Sequence, residues 1–313
     1  MAKKILGSIF SIETIRSLIK DNSLTVFCYH EVSNKPSEFS LVHNLNTLPE
    51  TFDYQIRLIN ENFNVISIDD LLIKKIPSKA ALITFDDGFK SYFKNAIPIL
   101  DKYDLPSIIF LNMEPIKGEI FWAGLVQYLC EKRPEFHDFI DSKTDGIINK
   151  KELHLYCSRD IVNSFIKNNK TTFKNDINKY IGEFATVEDL DDAATNRNVF
   201  FGNHLFNHDL PRLLTDNQLV ESFLKNENEL KSYPNFRSVF AFPYGQPGTS
   251  FDKRQINILL KNGARRVFQS SGRINLNPYE SHLDRLALNP WENNQSEIWF
   301  RLGISRLRNY LRS

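Results

Sequence analysis

Two adjacent carboxylates, Asp86 and Asp87, follow a short apolar run and precede Gly88 in the stretch ALITFDDGF. Where strands and helices alternate, the loops that follow the strands surround the active site, so acids at this place favour a catalytic role. An aspartate after a strand is also a common cap of the next helix, and the pair alone leaves that role open.

Two histidines follow a second apolar run. The stretch VFFGNHLFNH places His204 and His208 four residues apart. In a helix or helical turn this spacing puts both imidazoles on one face, within reach of one ion. Such a pair also arises by chance on surface helices. Together with one of the aspartates, however, the histidines make a three-ligand site with a position left for water, which is the arrangement of catalytic zinc.

A third loop joins Pro243, Tyr244 and Gly245 to the apolar run SVFAF. Proline and glycine on either side of an aromatic residue fix a tight loop, whose backbone N–H groups can point into a site. Taken alone, the pattern is typical of an ordinary turn.

The elements that must position these residues are short runs of apolar, β-branched or aromatic residues. Such runs predict buried strands. Between them lie segments with helical apolar spacing, such as 89–103. The alternation of strand and helix predicts a parallel sheet or barrel with helices outside it. The predicted strands are 24–29, 81–85, 107–111, 198–201, 238–242 and 265–268.

The stretch from about 119 to 197 has a different composition. It is rich in Lys, Asn and Asp, and its apolar residues have helical spacing within 122–129 and 161–180. We interpret it as a helical insertion between two barrel strands, either a solvated cap or a substrate-binding lid. The sequence has no fixed-period repeat and no low-complexity linker, so residues 1–313 are predicted to form a single domain.

Composition excludes two classes of protein. Of the 313 residues, 39 are basic and 38 acidic, and 42% are apolar. The balance of charge removes the positive field of a general nucleic-acid binder, and the apolar content excludes a disordered chain. The cysteines Cys28, Cys130 and Cys157 have no CxxC spacing, and their odd number fits a disulfide framework poorly. A reducing compartment is therefore expected.

Both ends of the chain are basic and amphipathic. In 1–20 and 296–313, lysines or arginines are interleaved with apolar residues. Either these segments pack their apolar faces on the barrel, or they rest on an anionic membrane surface. The first apolar run lacks a cleavage site, and no stretch reaches the roughly 20 apolar residues that span a bilayer. We expect a cytoplasmic protein that keeps its N-terminus, with peripheral contact to the inner membrane face as the second interpretation.

In their order and context, TFDDG, HxxxH and FAFPYG resemble the motifs of the polysaccharide deacetylase family, also called carbohydrate esterase family four or the NodB-homology domain. Tyr29 and His30 in CYHEV, together with GARRVFQSSGRIN and LDRLAL, are similar to the members that begin with a YHxV strand. The resemblance covers roughly residues 24–118 and 198–290.

The resemblance implies an α/β fold, a distorted (β/α) barrel of seven or eight strands, here with a helical insertion. It also implies hydrolysis of N-acetyl or O-acetyl groups on carbohydrates. Carried over by motif, Asp86 looks like the general base, and Asp87, His204 and His208 look like the metal ligands. A metal lowers the pKa of its water, and a neighbouring carboxylate can then take the proton, so this division of roles is physically consistent.

Further roles follow from the same resemblance. The backbone N–H of Tyr244, after Pro243, would stabilise the oxyanion. Arg285 in LDRLAL resembles an arginine of the family's late strand. It would orient Asp86, bind substrate or form a structural ion pair.

The sequence departs from the family pattern at two points. Many members carry an arginine two residues before the proline of the third motif, where this chain has Ala241. Many also carry a late LxH motif that supplies the acid for the leaving amine, and this chain shows no convincing one. In the YHxV members the early histidine takes that role, so His30 is the candidate acid, with His282 in reserve. A core histidine at a strand end is the other interpretation of His30.

These observations predict a metal-dependent hydrolase of C–N amide bonds that removes an N-acetyl group from an amino sugar. The substrate would be a saccharide or a glycolipid intermediate of bacterial surface polysaccharide synthesis, and no nucleic acid would be involved. Zn²⁺ is the default metal by ligand type, with Co²⁺, Ni²⁺ or Fe²⁺ also suited to the ligands. The alternatives are removal of a formyl group, cleavage of an O-acetyl ester or another amide, and a catalytically silent barrel that binds saccharide or a partner.

Overall fold

The computed structural model describes residues 22–143, 150–169 and 174–309. Parallel strands form a nearly closed barrel of eight strands with helices around it, so the predicted fold class is confirmed. The strands are β1 (Leu24–Tyr29), β2 (Glu31–Val32), β3 (Asn46–Thr47), β4 (Asn64–Val65), β5 (Ala80–Phe85), β6 (Ser107–Leu111), β7 (Val199–Asn203), β8 (Phe236–Ala241), β9 (Val267–Gln269), β10 (His282–Asp284) and β11 (Leu286–Ala287).

The order of the barrel strands is β10-β9-β8-β7-β6-β5-β1-β11, with β4 beside the start of β5. The two edges of this order, β10 and β11, are consecutive in the chain and are separated by Arg285 alone. β10 pairs with β9, and β11 pairs with β1. The run from 282 to 287 therefore crosses the seam and brings the two edges of the sheet together at Arg285.

All these pairings are parallel, so the carboxyl ends of the strands lie at the same end of the barrel. The register of β1 and β5 places Tyr29 opposite Phe85. The next residues, His30 and Asp86, are thus neighbours, and the Asp86 N–H donates to the Tyr29 carbonyl at 3.1 Å.

Helices cover the barrel and separate most of its strands. They are α1 (Glu38–Val42), α2 (Pro49–Asn62), α3 (Ile68–Leu72), α4 (Ile97–Asp101), α5 (Met113–Ile116), α6 (Trp122–Lys132), α7 (Pro134–Asp141), α8 (Arg159–Asn169), α9 (Lys174–Ile181), α10 (Val187–Ala193), α11 (Asp216–Leu230), α12 (Lys253–Lys261) and α13 (Gln295–Leu307). The helix predicted over 89–103 is shorter and irregular, with a π-helical turn at Tyr92–Ala96 before α4. Pro98 lies in the first turn of α4 and has no N–H to donate, which is consistent with the irregular turn before it.

Helices fill the connection between β6 and β7 in the described residues, where the sequence predicted a helical insertion. They share an apolar cluster of their own, which includes Phe121, Leu129 and Phe165. The end of the insertion is joined to the loop after β5: the Ala185 N–H donates to the Gly88 carbonyl at 2.9 Å, and the Lys90 N–H to the Glu183 carbonyl at 3.0 Å. The assignment of the whole chain to one domain stays a prediction.

The C-terminal helix α13 packs on the barrel. Its Ile298, Trp299 and Leu302 are buried in the main core, and the Trp299 ring stacks on Phe63 with centroids 6.2 Å apart. These apolar side chains are therefore buried against the barrel. The segment 1–20 and the residues after 309 lie outside the described residues. Among the helices that the structure describes, none is long and apolar enough to cross a bilayer.

Candidate active site

The residues selected from the sequence meet at the carboxyl end of the barrel. Asp86 and Asp87 follow β5, His204 follows β7, and His30 follows β1. These side chains line a cavity of about 830 Å³, and Tyr244 from the loop after β8 also lines it. Placement after separate parallel strands thus brings together residues that are far apart in the sequence.

Three buried ligand atoms converge in this cavity. His204 Nε2 lies 3.4 Å from Asp87 Oδ1, and His208 Nε2 lies 3.1 Å from the same oxygen. All three side chains are buried, and Asp87 Oδ1 has no hydrogen-bond partner among the described residues. A buried carboxylate oxygen without a donor is costly unless a cation satisfies it. One carboxylate and two imidazoles are a donor set that suits a divalent metal.

The two histidines are not on a helix, so the predicted helical turn is wrong. Residues 204–208 form an irregular loop in which Leu205 and His208 have φ angles of 64° and 53°. Asn112 holds this loop by donating from Nδ2 to the carbonyls of His204 and Leu205. The side-chain hydrogen bonds and the left-handed residues replace the helical i to i+4 geometry in aiming both imidazoles at Asp87.

The orientation of His204 is fixed by the backbone of a neighbouring strand. His204 Nδ1 lies 2.7 Å from the Ala241 carbonyl, at the end of β8. A carbonyl only accepts, so Nδ1 carries the proton and Nε2 is left with its lone pair toward Asp87. This arrangement is typical of an imidazole that binds a metal.

Asp87 is held in an unusual backbone conformation and is strongly acidic. Its φ is 73°, in the left-handed region that non-glycine residues seldom adopt, and Gly88 follows at 97°. Burial alone would raise the pKa of Asp87, but the adjacent His204 and His208 outweigh burial and hold the pKa well below its usual range. The carboxylate is therefore ionised at neutral pH, as a metal ligand must be.

Asp86 is paired with Arg285 at the seam of the barrel. Arg285 Nη1 donates to Asp86 Oδ1 at 2.6 Å, and Nη2 donates to Oδ2 at 2.7 Å. Burial acts to raise the pKa of Asp86, but the Arg285 guanidinium outweighs it and the pKa falls below its usual value. The bidentate contact also fixes the plane of the carboxylate. Asp86 is thus an oriented anion beside the three ligand atoms.

His30 lies at the edge of the same group. Its Nε2 is 3.8 Å from Asp86 Oδ2, and 22% of its side chain is exposed to the cavity side of the barrel. Burial lowers the pKa of His30, which Asp87 and Asp86 oppose by their negative charge. Its position after β1 therefore places an imidazole beside the carboxylate pair rather than in the hydrophobic core.

The third loop places Tyr244 in the cavity and leaves Pro243 buried behind it. The φ of Tyr244 is 59°, and its ring lies 5.1 Å from that of His208 between centroids. In the part of the chain that the structure describes, the Tyr244 N–H has no acceptor. It is accordingly available to a ligand in the cavity.

His282, the reserve candidate for the acid, lies outside this group. It is the first residue of β10, whereas the site gathers at the other end of the strands. Its side chain is 45% exposed, with Nε2 3.9 Å from a Glu280 oxygen, and it does not line the active-site cavity. Only His30 of the two is near the aspartates.

Sequence reasoning missed several residues of the cavity. Cys28 is buried and its Sγ lies 3.7 Å from Asp86 Oδ2. Because alternate residues of a strand share a face, Cys28 lies on the same side of β1 as His30, a signal that was present in the sequence. His43, Glu131 and His154 also line the cavity. They come from segments without a motif, so only the fold identifies them.

Residues 74–135 match the family model described as polysaccharide deacetylase. The predicted resemblance to that family is confirmed. The matched stretch includes Asp86 and Asp87 but ends before His204. The match to polysaccharide deacetylases supports a carbohydrate deacetylase activity. A search of curated protein sequences finds no match.

Solved structures with low sequence identity share the fold. IcaB from Ammonifex degensii superposes with a TM-score of 0.59 at 17% identity, over 91% of this chain and 97% of that one. The Streptococcus pyogenes deacetylase PplD, solved with acetate, gives 0.59 at 14% identity, over 91% and 98%. A de-N-acetylase from Aggregatibacter actinomycetemcomitans gives 0.53 at 17% identity, over 89% and 99%. At these identities the likeness concerns the fold alone.

Proposed function

We propose that the chain is a metal-dependent deacetylase that removes an N-acetyl group from an amino sugar in a saccharide or glycolipid. The observation that carries the proposal is the convergence of Asp87, His204 and His208 beside an oriented second carboxylate. The ligand atoms of Asp87, His204 and His208 lie within 4.8 Å of one another, and all three side chains are buried. One carboxylate and two imidazoles so close together match the ligand set of a catalytic zinc site.

Asp87 Oδ1 and the Nε2 atoms of His204 and His208 would hold the divalent ion. Two imidazoles and one carboxylate are the ligand types that zinc accepts, and they also suit Co²⁺, Ni²⁺ and Fe²⁺. A divalent ion there would lower the pKa of a bound water and polarise the acyl carbonyl.

Side chains and a backbone N–H of the protein would carry out the remaining steps. Asp86 is ionised, and Arg285 fixes the plane of its carboxylate. It would take a proton from the attacking water. The Tyr244 N–H would donate to the developing oxyanion. The leaving amine nitrogen needs a proton, and His30 would donate it. The reaction consumes water and yields acetate and a free amine on the sugar.

Replacement of His30 with glutamine is expected to lower kcat about 10²- to 10³-fold, because general acid catalysis contributes a factor of this order. Metal content, measured by elemental analysis of the purified protein, should stay at the wild-type level. His282→Gln is the matched control, since it removes an exposed imidazole outside the cavity. Unchanged turnover in the His30 variant would remove His30 from the mechanism.

The proposal as a whole is tested by release of acetate from a panel of acylated sugars before and after removal of metal. We expect turnover of N-acetylhexosamines, loss of turnover after treatment with a chelator, and recovery when Zn²⁺ or Co²⁺ is added back. Faster release of formate, or of acetate from O-acetyl esters, would show that the same site acts on N-formyl groups or on O-acetyl esters instead. A purified protein that neither binds nor responds to any divalent ion would overturn the proposal.

A further inference from the structure

A second cavity opens beside the active site. Its volume is about 800 Å³, and it shares Gln246, Ser270, Arg285 and Ala287 with the active-site cavity. We call it the arginine cavity because Arg273, Arg285, Arg301 and Arg308 all line it. Of the residues that the structure describes, no aspartate or glutamate lines it.

The charges in this cavity are only partly neutralised. Arg285 is paired with Asp86, and Arg301 Nε lies 2.9 Å from Glu292 Oε1. Among the described residues, Arg273 and Arg308 form no ion pair with a carboxylate. Two guanidinium groups, those of the partly buried Arg273 and the exposed Arg308, therefore line this concave surface without a carboxylate partner and give it a positive potential.

The loop of Gly272 shapes the cavity around one of these arginines. Gly272 has a φ of +70°, and a Cβ there would collide with Arg308 Nη1. The Gly272 N–H donates to the Arg285 carbonyl at 3.0 Å. A glycine thus lets the guanidinium of the C-terminal helix lie against the loop that also carries Ser270, at the border of the two cavities.

We propose that the arginine cavity binds a phosphate or diphosphate group of the acetylated substrate. Planar guanidinium groups bind phosphate oxygens with two parallel hydrogen bonds. The two charges left on Arg273 and Arg308 match the two negative charges of a diphosphate diester. The two cavities share four lining residues, so the proposal puts the acyl group of the sugar at Asp87 and its phosphate link against the neighbouring arginines. The inference rests on the proposed function for the identity of the acyl sugar.

The direct test is calorimetric titration of the full chain with inorganic pyrophosphate at low ionic strength. Each of Arg273→Gln and Arg308→Gln is expected to weaken binding about tenfold, because each removes a charge-assisted contact. Arg265→Gln is the matched control, since it removes an exposed arginine that does not line the cavity. Asp87→Asn should still bind pyrophosphate. Binding that is lost in Asp87→Asn and kept in the arginine variants would place the anion on the metal and overturn the proposal.

A kinetic test then identifies the source of the phosphate. We would compare kcat/KM for a neutral N-acetylhexosamine oligosaccharide, a nucleoside diphosphate-linked N-acetylhexosamine and a prenyl diphosphate-linked one in detergent. At least one diphosphate-linked substrate should be favoured about a hundredfold, and that preference should disappear in the double arginine variant. A preference for the neutral oligosaccharide would contradict the inference and leave the deacetylase proposal intact. Absence of all turnover with pyrophosphate binding retained would instead contradict the deacetylase proposal.

Discussion

Replacement of Asp87 with asparagine is expected to abolish both stoichiometric divalent metal and acetate release. Asp87 supplies the only carboxylate oxygen that both histidines approach within 3.4 Å among the described residues. An amide keeps the shape of the side chain but removes the negative charge on which the metal affinity depends. The measurement is metal per chain by elemental analysis, together with turnover of the best N-acetylated substrate.

Asp191→Asn makes the same chemical change at an exposed residue of α10 and serves as the control. It should retain both metal and turnover. The circular dichroism spectrum of Asp87→Asn should match that of the wild type, because its side chain is expected to fit the same space. Full metal content in the folded Asp87 variant would show that Asp87 is not a metal ligand.

Replacement of Asp86 with asparagine should reduce kcat about 10³-fold while metal content stays at the wild-type level. A general base works when it is ionised, so its contribution is present above its pKa and is lost as pH falls through it. Because Arg285 holds the pKa of Asp86 below its usual value, the loss of activity that protonation of Asp86 causes should lie below the pH range of an ordinary aspartate. In the pH profile of kcat/KM, protonation of Asp86 produces the acid limb, which is the decrease at low pH. This limb should be absent from the residual activity of the variant.

The comparison that separates catalysis from structure uses Arg285. In Arg285→Gln the base remains but loses its guanidinium, so burial dominates and the pKa of Asp86 rises. The acid limb of kcat/KM should therefore move to higher pH. If the acid limb of Arg285→Gln stayed at the wild-type pH, or if Asp86→Asn kept the wild-type kcat, another group would be the one that accepts the proton.

The sequence was sufficient to predict the barrel and the position of the candidate metal site. Runs such as SIIFL at 107–111 become strands because buried parallel strands are apolar on both faces. The residues directly after these runs, Asp87 and His204 among them, then meet for a geometric reason: parallel strands end at one edge. Sequence order alone could therefore indicate which distant residues converge.

The remaining details depend on tertiary contacts that no local pattern encodes. The spacing of His204 and His208 suggested a helix, but Asn112, from a different loop, sets their conformation. Arg285 was compatible with three roles, and its contact with the Asp86 carboxylate is visible only in the closing run from β10 to β11. The pairing exists only because the barrel closes there, and periodicity of the sequence carries no signal of closure.

The join between the insertion and the loop after β5 bears on the order of folding. The hydrogen bond from Ala185 to Gly88 fixes the backbone beside Asp87, and it closes a chain loop of about 100 residues, which costs entropy before any contact is gained. Contacts between residues so distant in sequence are intrinsically slow to form. The backbone beside Asp87 therefore gains this restraint only when the far end of the insertion returns to the barrel, at the entropic cost of closing that loop.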